Sequence, residues 1–181
     1  MDKKLELKLV EKYPVIFQAY GGDIRKTCMG WGLSCGGGWF NLIDKLCEDI
    51  TKLIGDKDIK VIALQVKEKF GGLRFYYCTD YKISPLNILD NRIAGIMASY
   101  RLGRNYRSFT NFRRRFFTTI SEKISDLISE AECKSYTICE TCGEPGETRD
   151  GGWVNTSCDS CDKKFSEGKR SWTGNWNDWN E

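Results

Sequence analysis

The chain has 181 residues, 40% of them hydrophobic and 29% charged, which suits a globular body with a real core and excludes generic disorder. Its net charge of +3 is too small to announce a nucleic-acid binder by itself. It has no histidine, so mechanisms that need imidazole as base or shuttle are excluded, and any transition metal must rely mainly on cysteine.

From the N-terminus, Leu5, Leu9 and Val10 predict a short amphipathic helix over Lys3 to Lys12, ended by Pro14. The opening Met1-Asp2-Lys3-Lys4 does not read as a secretory signal, and no apolar run approaches membrane-spanning length. A reducing, cytoplasmic setting without membrane contact is therefore expected. Gly21 to Gly38 carries seven glycines and reads as a loop of the kind that often bears function. Phe40, Ile43, Leu46, Cys47, Ile50 and Ile54 then recur at three- and four-residue intervals, predicting a helix from about Trp39 to Ile54 closed by Gly55.

Ile59 to Phe70 and Leu73 to Thr79 predict a β-hairpin turning at Gly71-Gly72. That register places Phe70 opposite Leu73 and Glu68 opposite Phe75. It gathers Ile62, Leu64, Val66, Phe70, Leu73, Phe75 and Tyr77 on the core face, and leaves Val61, Ala63, Lys67, Lys69 and Arg74 on the other. Glu68 then falls on the apolar face. Either the hairpin tip opens to water, or the carboxylate is buried against an arginine or a ligand donor.

Ser84-Pro85 reads as a helix start, and Leu86, Leu89, Ile93, Ile96 and Tyr100 as a narrow helical seam. A second seam runs through Phe112, Phe116, Ile120, Ile124, Leu127 or Ile128, and Ala131, predicting an antiparallel helical hairpin over about 84–132. Between Asn91 and Ser121 there is no Asp, Glu or Lys but there are seven arginines, so this segment carries +7 and the rest of the chain 3 − 7 = −4. Tyr100, Tyr106, Phe109 and Phe112 interleave with them. Planar guanidinium forks beside aromatic rings suit phosphate and base stacking; a solvated face paired to acids elsewhere is the alternative. The candidate ligand-binding residues are Arg101, Arg104, Arg107, Arg113, Arg114, Arg115 and Tyr106, with Arg74 and Glu68 in support.

Cys139-Glu140-Thr141-Cys142-Gly143, fifteen residues counted from Gly143, then Cys158-Asp159-Ser160-Cys161, is a four-cysteine metal pattern. A two-residue gap lets both thiolates of one turn reach the same tetrahedral ion, and four thiolates leave no open position. A structural Zn2+ in a zinc ribbon is the expectation, with redox disulfides as the alternative and Trp153 as packing between the turns. Cys28, Cys35 and Cys47 have a weak spacing and are not expected to form a second site. The tail holds Trp172, Trp176 and Trp179, which are expected to dock on the body or on a second copy, making a homo-oligomer possible.

Three blocks together resemble an uncharacterised family of small proteins in bacteria and their phages. They are Cys35-Gly36-Gly37-Gly38-Trp39-Phe40, Lys67 to Tyr77 with its Phe70-Gly71-Gly72-Leu73-Arg74 centre, and Ala131-Glu132 through the cysteine pairs. The resemblance implies a compact α+β body ending in a zinc ribbon and brings no catalytic assignment. Against it, Ser84 to Phe117 looks like an insertion.

The expected organisation is an α+β body over 1–135 with a small hairpin-based sheet and the helical insertion, a zinc ribbon over 136–165 and a tail over 166–181. The expected function is non-enzymatic binding of a phosphate-bearing anionic ligand, a nucleotide immune signal or a nucleic acid, in phage counter-defence. One alternative is a zinc-ribbon adaptor that grips an acidic host protein. The other is a metal-dependent phosphodiesterase or nuclease using Glu68 or Asp23 as acid or base.

Overall fold

The computed structural model describes residues 1–25, 27–57, 59–81, 119–150 and 154–167. Helix α1 (Lys3–Lys12) leads through short 3-10 turns at Cys28–Trp31 and Gly37–Trp39 into α2 (Phe40–Ile54). Strands β1 (Ile59–Lys69) and β2 (Gly72–Tyr81) follow, then α3 (Ile120–Ser135), β3 (Glu147–Arg149), β4 (Asn155–Ser157) and α4 (Asp159–Ser166). Helices with two antiparallel two-stranded sheets make the fold α+β, as its sequence predicts.

The helices begin and end where side-chain chemistry dictates. Asp2 caps α1 by accepting the Lys4 amide at 2.8 Å. Gly55, at φ +50°, stops α2 and donates to the Thr51 carbonyl. Thr119 and Glu122 form a reciprocal capping box at the start of α3. Ile43, Leu46, Cys47 and Ile50 of α2 are buried, as are Ile124, Ile128 and Ala131 of α3, which packs against α2 and β2. Glu6 is a buried carboxylate that accepts from the Tyr20 hydroxyl at 2.5 Å and the Leu33 amide at 3.0 Å, tying α1 to the loop before α2.

The hairpin departs from its predicted register. Lys69 pairs with Gly72, Glu68 with Leu73 and Val66 with Phe75, so the turn residues are Phe70 (φ +54°) and Gly71 (φ +77°). Two positive φ angles in succession give the twist a tight hairpin needs. A bulge at Leu64, between the pairs Ala63–Tyr77 and Gln65–Tyr76, inverts the alternation. Val61 and Ala63 consequently face the core with Val66, Leu73 and Phe75, whereas Leu64 and Phe70 are exposed. One inserted residue exchanges the faces of everything before it, which period-two reading cannot foresee.

A sheet of two strands has only edges, and each is covered along part of its length. Along β1, Ser34 donates to Val66 O and accepts from Glu68 N, each at 2.9 Å, and the Ala63 amide donates to Ile16 O at 2.8 Å. Along β2, the Leu73 amide donates to Ser135 Oγ at 2.8 Å and the Phe75 amide to Glu132 Oε1 at 2.9 Å. Loop and helix thus supply the hydrogen bonds that third and fourth strands would otherwise make.

The first predicted helix of the insertion, Trp153 and the tryptophan tail lie outside the described residues. Of the second predicted helix, the part from Ile120 is α3, which starts at its Thr119 cap, while Phe112 and Phe116 lie outside the described residues. Among the described residues, no helix is long and apolar enough to cross a membrane.

Candidate metal centre

The four cysteines of the two pairs converge. Cys139 follows α3, and its amide donates to Glu144 O at 2.8 Å while its carbonyl accepts from Gly143 N at 2.9 Å, closing a tight turn that carries Cys139 and Cys142. Gly143, at φ +83°, permits the reversal. The Glu140 amide donates to Thr156 O at 2.9 Å, fastening this turn to β4. Cys158 occupies the N-cap of α4 and Cys161 its third position, so the second pair sits on a helix start.

All four Sγ atoms lie within 4.8 Å of one another, and Cys142 Sγ is 3.6 Å from Cys158 Sγ. Metal–sulfur bonds of about 2.3 Å in a tetrahedron separate the sulfurs by about 3.8 Å, so the constellation could hold one metal ion. None of the nine cysteines is disulfide-bonded. Cys139 and Cys161 are buried, Cys158 is half-buried and Cys142 faces solvent.

The thiols are electrostatically unequal. The Ser160 hydroxyl, 3.1 Å away, and then the Cys161 backbone amide draw the Cys158 thiol down to about 6. Burial, followed by the neighbouring sulfurs, pushes Cys161 up to about 12, and Cys142 is likewise raised. Sulfurs this close cannot all ionise by themselves; a divalent cation held at their centre would allow it. Four soft donors on one ion make a coordination shell without a vacant position.

The body is shaped to receive this module. Gly36 N donates to Glu140 Oε1 at 2.7 Å, Gly38 N to Glu140 O at 2.8 Å, and Trp39 Nε1 to Ile138 O at 2.9 Å. A Cβ on Gly36 would stand 2.2 Å from Glu140 O, and one on Gly38 2.2 Å from Cys139 O and 2.5 Å from Gly143 N. On the other side the hairpin tip is clasped, with Thr156 Oγ1 donating to Gly71 O at 2.6 Å. A Cβ on Gly72 would fall 2.4 Å from Tyr136 Cζ. The glycine-rich stretch that reads as a functional loop therefore ends as the seat of the first cysteine turn. Gly36, Gly38, Trp39, Tyr136 and Thr156 escaped the sequence reading as site residues. The one visible signal was the run Gly36-Gly37-Gly38-Trp39, whose glycines make a surface that a second backbone can approach.

Of the candidate ligand residues, Arg74 and Glu68 are described. Arg74 Nη2 donates to the Tyr136 hydroxyl at 2.8 Å, Nη1 donates to Leu73 O at 2.7 Å, and Glu132 lies 4.0 Å away; the Tyr136 bond holds the guanidinium pKa above its ordinary value. Glu68 Oε1 accepts from Gly71 N at 2.6 Å and braces the turn. Asp23 accepts from the Arg25 amide at 2.9 Å in a local loop. Arg101, Arg104, Tyr106, Arg107, Arg113, Arg114 and Arg115 lie outside the described residues. Cys35 and Cys47 are buried with thiols pushed up by desolvation, Cys35 to about 12, while Cys28, Cys78 and Cys133 are exposed. Cys139, Cys142, Cys158 and Cys161 form the one metal-competent group among the described residues. No family model, curated protein or solved structure matches the chain.

Proposed function

We propose that this chain is a zinc-stabilised, non-enzymatic binding protein that holds a phosphate-bearing anionic ligand through the arginine segment between Asn91 and Ser121. Zn2+ suits four thiolates in a closed shell, and its role is to lock the two cysteine turns into a ribbon against the body. The carrying observation is the charge asymmetry: seven arginines without a local acid, +7 against −4 for everything else. Ion pairing elsewhere in the chain supports it. Asp44, Glu48, Asp49, Glu130, Glu147 and Asp159, six of the chain's 25 acids, each have a lysine or arginine outside that segment as partner. The resemblance to phage proteins suggests counter-defence, by sequestering a nucleotide signal or blocking a nucleic-acid machine.

Native mass spectrometry of the purified chain should find one zinc per copy together with any co-purifying nucleotide. Calorimetry with cyclic and linear nucleotides, and gel shifts with short DNA and RNA, should detect a ligand that Arg113→Gln/Arg114→Gln/Arg115→Gln weakens. Silence in every binding assay at low salt overturns the ligand assignment. A nuclease-resistant protein partner that depends on the arginines would replace it with the adaptor reading.

A further inference from the structure

The outward face of the β1–β2 hairpin beyond the bulge has an unusual composition. Val66, Leu73 and Phe75 point inward, so Gln65, Lys67, Lys69, Arg74 and Tyr76 alternate to the other side. No hairpin residue on that side beyond the bulge is acidic; Arg74 has Glu132 of α3 4.0 Å away. The register sets Lys67 directly opposite Arg74, and like charges facing each other across a sheet are destabilising. Lys67 Nζ lies 5.5 Å from the centre of the Tyr76 ring and Lys69 Nζ 5.3 Å from that of Phe70. Among the described residues neither lysine has a carboxylate partner.

Phe70 supplies a second, independent observation. It occupies the left-handed region at φ +54°, the first position of a turn where Asn, Asp or Gly is the unstrained choice, and the residue is 69% exposed. A bulky side chain there costs stability and contributes little to the core. Strain retained at an exposed position points to use elsewhere. Tyr76, 44% exposed on the same hairpin, is a second ring offered to solvent.

We propose that this face is a stacking platform for single-stranded nucleic acid, with Phe70 and Tyr76 receiving bases and Lys67 and Lys69 the intervening phosphates. Exposed aromatics, one on the sheet and one at its turn, each beside an ammonium, match the alternation of base and phosphate along a strand. An unpaired strand fits better than a duplex, whose bases are already stacked on one another. The inference takes from the proposed function only the class of ligand, a phosphate-bearing anion, and extends it to a polymer and to a second surface.

The test uses the full chain loaded with zinc and fluorescein-labelled 20-mers of dT and rU, read by anisotropy from 50 to 300 mM salt. Phe70→Asn and Tyr76→Thr should each weaken binding about 5- to 150-fold, the range expected for losing one stacked base. Lys67→Gln and Lys69→Gln should each flatten the salt slope by about 0.7. Phe70→Asn should also raise Tm by about 2–4 °C, because asparagine tolerates the turn. A stabilised variant that loses binding separates function from folding. Unchanged affinity in the Phe70→Asn/Tyr76→Thr double variant overturns the platform, as does duplex binding as tight as single-strand binding and indifferent to both rings. Phosphatidylserine vesicles that bind the protein through Phe70, with no oligonucleotide bound, would instead make the tip a membrane contact and overturn it. Binding lost only in the Arg113→Gln/Arg114→Gln/Arg115→Gln variant would leave the proposed function standing and this inference refuted. Loss only in the hairpin variants would do the reverse.

Discussion

Gly37 and Gly38 are neighbours with the same composition and opposite constraints. A Cβ on Gly38 would meet two backbone atoms of the first cysteine turn, at 2.2 and 2.5 Å, and backbone cannot yield without displacing Cys139 or Gly143. A Cβ on Gly37 meets only the end of the Leu5 side chain, at 3.2 Å, which can rotate away. Gly38→Ala should therefore cost about 3 kcal/mol and weaken metal binding, whereas Gly37→Ala should cost less than about 1 kcal/mol. Urea unfolding in saturating zinc, with a chromogenic chelator competition alongside, checks both. Equal effects would show that the close packing of Gly38 on the cysteine turn does not matter.

At the scale of elements, the β1–β2 hairpin is stable because neighbours complete its hydrogen bonding. Ser135 is fully buried at the end of α3; its hydroxyl accepts the Leu73 amide at 2.8 Å and donates to Glu132 O at 2.6 Å. Ser135→Ala strands a buried amide, so a loss of about 1–3 kcal/mol is expected, with amide exchange at Leu73 accelerating more than at Val61. Thr119→Ala removes the capping box at the exposed start of α3 and should cost about 1 kcal/mol, read by denaturant midpoint, without touching Leu73 exchange. The two substitutions act on the same helix at opposite ends. Only the first couples it to the sheet.

Across the whole molecule, the cysteine module and the body share their interfaces. Gly36 to Trp39 grip the first turn, and Gly71 and Gly72 meet Thr156 and Tyr136, so two distant stretches of the body both bear on the cysteine module. Removing the metal with a strong chelator should thus lower Tm and raise amide exchange not only over 139–161 but also at Gly38 and Gly71. Exchange confined to 139–161 would mean that the module opens without disturbing its seat.

What the sequence determined was local and chemical. The helix limits over Lys3 to Lys12 and at Gly55, the apolar seams of α2 and α3, the hairpin itself and the four metal-competent cysteines all follow from caps, periodicity and ligand spacing, which act within a few residues. The tertiary structure decided what depends on distant partners or on parity. The Leu64 bulge reversed which strand residues are core, because a two-residue period carries no record of an insertion. The purpose of Gly36 and Gly38 became visible only against a backbone about a hundred residues away, since a glycine chosen for close approach and a glycine chosen for a turn are identical until the approaching chain is in place.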